Sequence, residues 1–293
     1  MESFSETLFE QAFDFNELEQ TVAATIRLAV SNPASLYLFF QRYTYFNGYV
    51  SSMIPRLVSS IALSRYLFTE PHIPVIEEAD RGMQIAAKVM VAAADEGAYG
   101  ASHRSLAQAT LMTVGNYAGL SPEQRNQFSQ IPPWLHQIIN AVISGYQGTP
   151  GDIASLIQAI GFHSASEILG DLEYGLLDKI IRYENRGSGF DQYLRQETPR
   201  IIIDGHRYDP WCYILIHSKH EGSGAEIEHF ECALEALNML APYRPESEHQ
   251  KIMAWVLEGF QVFVDLQQCL FREIYRECLE LIETCEPISM VSV

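Results

Sequence analysis

Apolar residues recur every three or four positions along most of the chain, as in Leu18, Val22, Ile26 and Ala29, or in Ile252, Val256, Phe260, Phe263, Leu266 and Leu270. That spacing lines them up on one face of an α-helix. It predicts helices over about 5–30, 35–68, 73–95, 102–117, 132–146, 151–159, 162–186, 209–221, 225–240 and 246–285, with ends uncertain by about two to four residues. Ser121-Pro122-Glu123 and Pro150-Gly151-Asp152 mark helix starts or turns, and Gly119 and Gly148 mark stops. One stretch follows a different period. Arg200-Ile201-Ile202-Ile203, Asp204-Gly205 and His206-Arg207-Tyr208 alternate around a dipeptide suited to a tight two-residue turn, which predicts a short β-hairpin. Asn185 to Gly189 is too short for a domain linker and reads as a joint. The expectation is one all-α domain spanning 1–293, with a hairpin insertion near 200–208.

Composition narrows the classes of partner. Of the 293 residues, 47% are hydrophobic and only 19% charged, so the chain can bury a substantial core. Lys and Arg number 19 against 37 Asp and Glu, a net charge of −18, which argues against nucleic acid and anionic membrane surfaces as partners. The longest run without Asp, Glu, Lys or Arg, Asn126 to Gly151, contains Pro132 and Pro133 and several amides, so no membrane span is expected. Residues 1–20 carry six acidic groups where a secretory leader needs a basic start, and the chain reads as cytoplasmic. Five cysteines, Cys212, Cys232, Cys269, Cys278 and Cys285, lie in the last third without a Cys-x-x-Cys pair, which fits neither a disulfide frame nor a zinc knuckle.

The chemistry-bearing signals are carboxylates and imidazoles on helical spacing, the donors that iron and manganese favour when facing helices project them inward. Glu96 and His103 are seven residues apart, just under two turns if helix continues through Gly97 and Gly100. Against that stands a solvated Glu at one helix end and an unrelated His on the next helix. His163 and Glu167 form an i, i+4 pair beside the small residues Ala165 and Gly170, although an acidic residue in a helix is usually exposed. The densest cluster follows the apolar run Ile214-Leu215-Ile216: three of nine histidines, His217, His220 and His229, fall within thirteen residues. His217 and Glu221 are one turn apart. His229 lies eight residues beyond Glu221, about 80° off the same face of a straight helix, so convergence requires the bend that Gly222-Ser223-Gly224 offers.

Taken in order, Asp95-Glu96-Gly97 with His103, then Ala165-Ser166-Glu167, then His217 with Glu221 and His229, resembles the ligand sequence of the heme-oxygenase-like diiron oxidases and oxygenases. Tyr43-Thr44-Tyr45-Phe46-Asn47-Gly48 resembles a pocket-lining helix of that superfamily. The resemblance spans residues 90–235 and implies a heme-oxygenase-like helical bundle. It implies Glu96, His103, Glu167, His217, Glu221 and His229 as ligands of Fe(II), two ions per chain, with O2 as co-substrate and an external electron donor. The late set departs from the family pattern, with Glu221 for the usual Asp and an eight-residue step to His229, so His220 is the alternative to His229. The function implied is oxidation of a small amino acid, amine or acyl substrate by N-oxygenation, desaturation or carbon–carbon cleavage, as in natural-product biosynthesis. His163, His220 and Arg207 are the candidates for substrate contact, with Arg207 and His206 at the hairpin suited to a carboxylate.

Three rivals keep much of this picture. A metal-free enzyme of thiaminase type would use the same helical pocket without iron. A ferritin-like carboxylate bundle needs two Glu-x-x-His units, and Glu226-Ile227-Glu228-His229 is the single copy. A non-catalytic helical binding protein would use its acidic surface on a basic client. The predicted terminal helix can pair with a symmetry mate, forming a homodimer, as readily as with its own bundle.

Overall fold

The longest buried element explains most of the architecture. In a computed structural model that describes residues 3–68, 78–95, 101–196, 201–218 and 225–284, helix α9, Ile153–Asp178, runs through the middle of the molecule. Its buried residues include Leu156, Ile157 and an unbroken run from Ala159 to Ala165. Consecutive burial means that every face of the helix is covered. Asp152 caps its start, accepting from the backbone N–H groups of Ala154 and Ser155 at 3.1 and 3.2 Å.

Thirteen α-helices occur among the described residues: α1 Glu6–Ala12, α2 Asn16–Val30, α3 Pro33–Asn47, α4 Val50–Leu63, α5 Glu78–Asp95, α6 His103–Tyr117, α7 Pro122–Phe128, α8 Pro133–Gly145, α9, α10 Gly189–Gln196, α11 Cys212–His217, α12 Ala225–Leu240 and α13 His249–Thr284. Helix α9 packs against α2, α4, α8, α11, α12 and α13. Around it, α5 bridges α4 and α12, and α3 joins α2 to α6. Helices α9 and α13 approach through glycine. A side chain at Gly161 would run into the backbone of Val256, and one at Gly259 into the backbone of Gln158.

The all-α expectation with a short hairpin holds. Strands β1, Ile201–Ile203, and β2, His206–Tyr208, pair antiparallel in the register Ile201↔Tyr208 and Ile203↔His206. Asp204 and Gly205 both have positive φ, 49° and 80°, as a two-residue hairpin turn requires. Several expected boundaries change. The segment 151–186 is one long helix whose last turn, Lys179–Glu184, widens to π geometry, because Gly161 serves helix contact and not a break. The segment 5–30 is two helices, separated at Phe13. Helices α7 and α10 stand where no helix is expected; Ser121 and Gln124 form a capping box that starts α7. Helix α11 ends at His217, and Ser218 is extended, so the helix expected to continue to 221 stops early. The joint at Asn185–Gly189 is tied down, with the Gly187 N–H donating to Asp191 Oδ2 at 2.7 Å.

Among the described residues no helix is long and apolar enough to cross a membrane. Cys212, Cys232, Cys269 and Cys278 are all free thiols.

Candidate metal centre

Helix α9 contributes Glu167, and α12 contributes Glu226 and His229 one turn apart. One ligand atom from each of the three lies within 4.8 Å of the others, and all three residues are buried. Glu167 is only 4% exposed because its helix is covered on all sides, which overrides the usual preference of a helical carboxylate for water. His229 Nδ1 lies 3.3 Å from Glu167 Oε2 and 3.4 Å from Glu226 Oε2. The opposite ring nitrogen, Nε2, is 3.0 Å from Asp95 Oδ2 at the end of α5. A carboxylate behind a histidine fixes its ring orientation and strengthens it as a ligand, an arrangement common behind metal-bound imidazoles.

His217, the last residue of α11, closes a fourth side. Its Nδ1 stands 2.6 Å from Glu226 Oε1, yet neither ring nitrogen makes a hydrogen bond of proper geometry. Two donors that approach without aiming at each other are arranged as ligands of a common third partner would be. Tyr174 stacks on the His217 ring, with centroids 4.4 Å apart and planes 19° from parallel, and His103 meets it edge-on at 4.7 Å. These two rings hold the imidazole in place. On the other flank, Glu167 Oε1 accepts from the Ser166 hydroxyl at 3.2 Å and lies 3.2 Å from His163 Nδ1.

The carboxylates and imidazoles stabilise each other's charges. Burial alone would raise the Glu167 carboxyl, but His163 and His229 outweigh it and hold the group well below the usual carboxylate range. Burial alone would likewise lower His229, but Glu167 and Glu226 push it up to about 11. With no metal present, the proton on His229 supplies the positive charge that the two carboxylates require. Glu173, six residues further along α9, behaves in the opposite way. Burial, aided by Glu226, lifts its carboxyl well above the ordinary range against the opposing influence of Tyr43 and Gln267.

Glu167, Glu226, His229 and His217 open onto a cavity of about 60 Å³, which extends past Gly170 and Tyr174 to Tyr43, Asn47, Glu173 and Gln267. A side chain at Gly170 would come within 3.4 Å of the Glu226 carboxyl, so the glycine keeps this passage open.

The sequence-derived candidates separate clearly. Glu167 and His229 converge, and His217 reaches the same cluster through Glu226. His103 stands behind His217, and His163 stands behind Glu167. Arg207 lies exposed on β2, beside exposed His206, and neither borders the cavity. Glu96, His220 and Glu221 fall outside the described residues. Glu226 and Asp95 were not among the candidates. Glu226 had a visible signal in its Glu-x-x-His spacing to His229, and Asp95 had none beyond its place next to Glu96. Compared with protein-family models and with curated proteins, the chain matches none.

Proposed function

We propose that the protein is a non-heme iron oxidase or oxygenase of the heme-oxygenase-like kind, acting on a small substrate in the cavity beside Glu167, Glu226, His229 and His217. The observation that carries this reading is the buried meeting of two carboxylates and an imidazole, Glu167, Glu226 and His229, with His229 backed by Asp95 and a second imidazole, His217, against Glu226. Mixed oxygen and nitrogen donors of this type suit iron or manganese better than softer metals. The described donors are enough for one ion; the second ion that the sequence resemblance implies would need ligands from Glu96, Glu221 or His220.

Bound there, Fe(II) supplies the one-electron steps that ground-state dioxygen requires. The chain's own residues do the rest. Asp95 orients His229 and keeps the correct nitrogen directed at the carboxylates. His163 and Ser166 fix the rotamer of Glu167 through its second oxygen. Tyr174 and His103 clamp the His217 ring, and the surrounding aromatic side chains exclude bulk water from the reacting end of the cavity.

Iron content measures the proposal directly. Protein purified from iron-supplemented cells is expected to carry Fe, and Glu167→Ala, Glu226→Ala and His229→Ala are each expected to lose more than the ~10- to 100-fold in iron affinity that removal of an outer-shell partner such as Asp95 costs, while Arg207→Ala keeps it. Elemental analysis alongside circular dichroism reads this out. Full iron retention in folded Glu226→Ala and His229→Ala proteins would rule the site out.

A further inference from the structure

The far end of the cavity holds polar atoms that nothing in the fold uses. Gln267, 3% exposed on α13, donates through Nε2 to Glu173 Oε1 at 2.6 Å, which leaves its carbonyl Oε1 buried without a partner. Tyr43, fully buried on α3, has its hydroxyl close enough to Glu173, Asn47 and Tyr174 to feel each of them, yet it makes no hydrogen bond of good geometry. Buried polar atoms without partners each cost a fold free energy, so these two oxygens on one space mark a place where a ligand carrying N–H donors supplies the missing bonds.

The character of the lining selects that ligand. Three carboxylates face the cavity, and no Lys or Arg is among the described residues that line it. At the Glu173 end a substrate carboxylate would therefore meet an acidic side chain and no Lys or Arg, the positive charge of His229 being already matched by Glu167 and Glu226 at the other end. An ammonium group presents three N–H donors and no acceptor, which matches the Gln267 carbonyl, the Tyr43 hydroxyl oxygen and the Glu173 carboxyl. The rings of Tyr43, Tyr174 and Tyr213 surround the same space, and aromatic faces favour a cation. The volume of about 60 Å³ leaves room for a small ligand and not for a bulky one.

We infer that Glu173, Gln267 and Tyr43 seat the ammonium group of a small primary amine and present its carbon chain toward Glu167, Glu226 and His229. As a statement about substrate, this rests on the iron-enzyme reading above. As a statement about binding, it stands on Glu173 and can be measured separately.

The test is isothermal titration of the full-length protein, Fe(II)-loaded under anaerobic conditions and also metal-free, with propylammonium, propionate and 1-propanol at matched ionic strength near neutral pH. Propylammonium is expected to bind at least about tenfold more tightly than either of the others. Glu173→Gln should remove about tenfold of that affinity, and Tyr43→Phe a smaller part, with iron content unchanged in both. Propionate or propanol binding as well as the amine, or no binding by any of the three, would overturn the inference on the wild-type protein alone, whatever happens to the variants. Undiminished amine affinity in a folded Glu173→Gln protein would also overturn it, by placing the cation at the metal ligands. Amine binding that depends on Glu173 in a protein that never takes up iron would keep this seat and remove the oxidase reading. Iron binding with no amine preference would do the reverse.

Discussion

At the scale of single residues, His229 is where the metal-free and metal-bound states differ most. Its pKa, raised to about 11 by Glu167 and Glu226 against the ordinary 6.5, makes its charge a stabilising feature of the empty fold. The sign follows from linkage: the contribution is fully present below about 6.5, the unfolded value, and is lost as pH rises through about 11. Glu167 is the mirror case. Held below 4.5, it stabilises above that value and ceases to do so as acid protonates it. A bound divalent ion would replace the His229 proton. Nitrogen-15 histidine spectra of the metal-free protein are therefore expected to show His229 as imidazolium throughout the neutral range, and addition of Zn(II) should convert it to a neutral, metal-shifted ring. A neutral His229 in metal-free protein at pH 7 would contradict this electrostatic account.

At the scale of elements, much of the bundle could be read directly, because three- and four-residue periodicity survives wherever a helix has one wet face. Helices α2, α5, α12 and α13 fall close to where that pattern puts them. It fails in α9, which is buried all round and therefore has no polar stripe to mark its continuity, so Gly161 reads as a boundary. The same burial hid part of the site. Glu173 looks like an ordinary surface acid in the sequence, and only the surrounding helices make it an interior group; Glu167 stands out only through its i, i+4 pairing with His163 and its place in the family-like ligand order. Glu226 was obscured for another reason: Glu221 satisfies the i, i+4 spacing from His217 and draws attention first, whereas α11 ends at His217 and the carboxylate described beside it comes from the next helix. The close approach of α9 and α13 leads to a further expectation. Gly161→Ala should push the two helices apart at Val256 and cost about 1–3 kcal/mol or more of unfolding free energy, read from the urea midpoint. An unchanged midpoint would mean that the crossing is looser than its geometry indicates.

At the scale of the whole molecule, stability and binding pull against each other in the cavity. The unpaired hydroxyl of Tyr43 is a burden on the ligand-free fold, and its loss in Tyr43→Phe is expected to raise stability by about 1 kcal/mol while weakening amine binding. Paired urea melts, with and without propylammonium, would show the gain reversing once ligand is present; a destabilised Tyr43→Phe protein would mean that the hydroxyl already has a partner in solution. The overall charge of −18 favours cations over anions before any of them reaches the interior. Helix α9 then adds something that neither end of the cavity has alone. Glu167 and Glu173 belong to one rigid element, so about 9 Å of axial rise separates the two residues whatever guest is bound. The helix thus works as a measuring rod. With its nitrogen anchored at one mark, a guest would be attacked at a set number of bonds from that nitrogen, and lengthening its tail would change how well it fits without moving the point of attack.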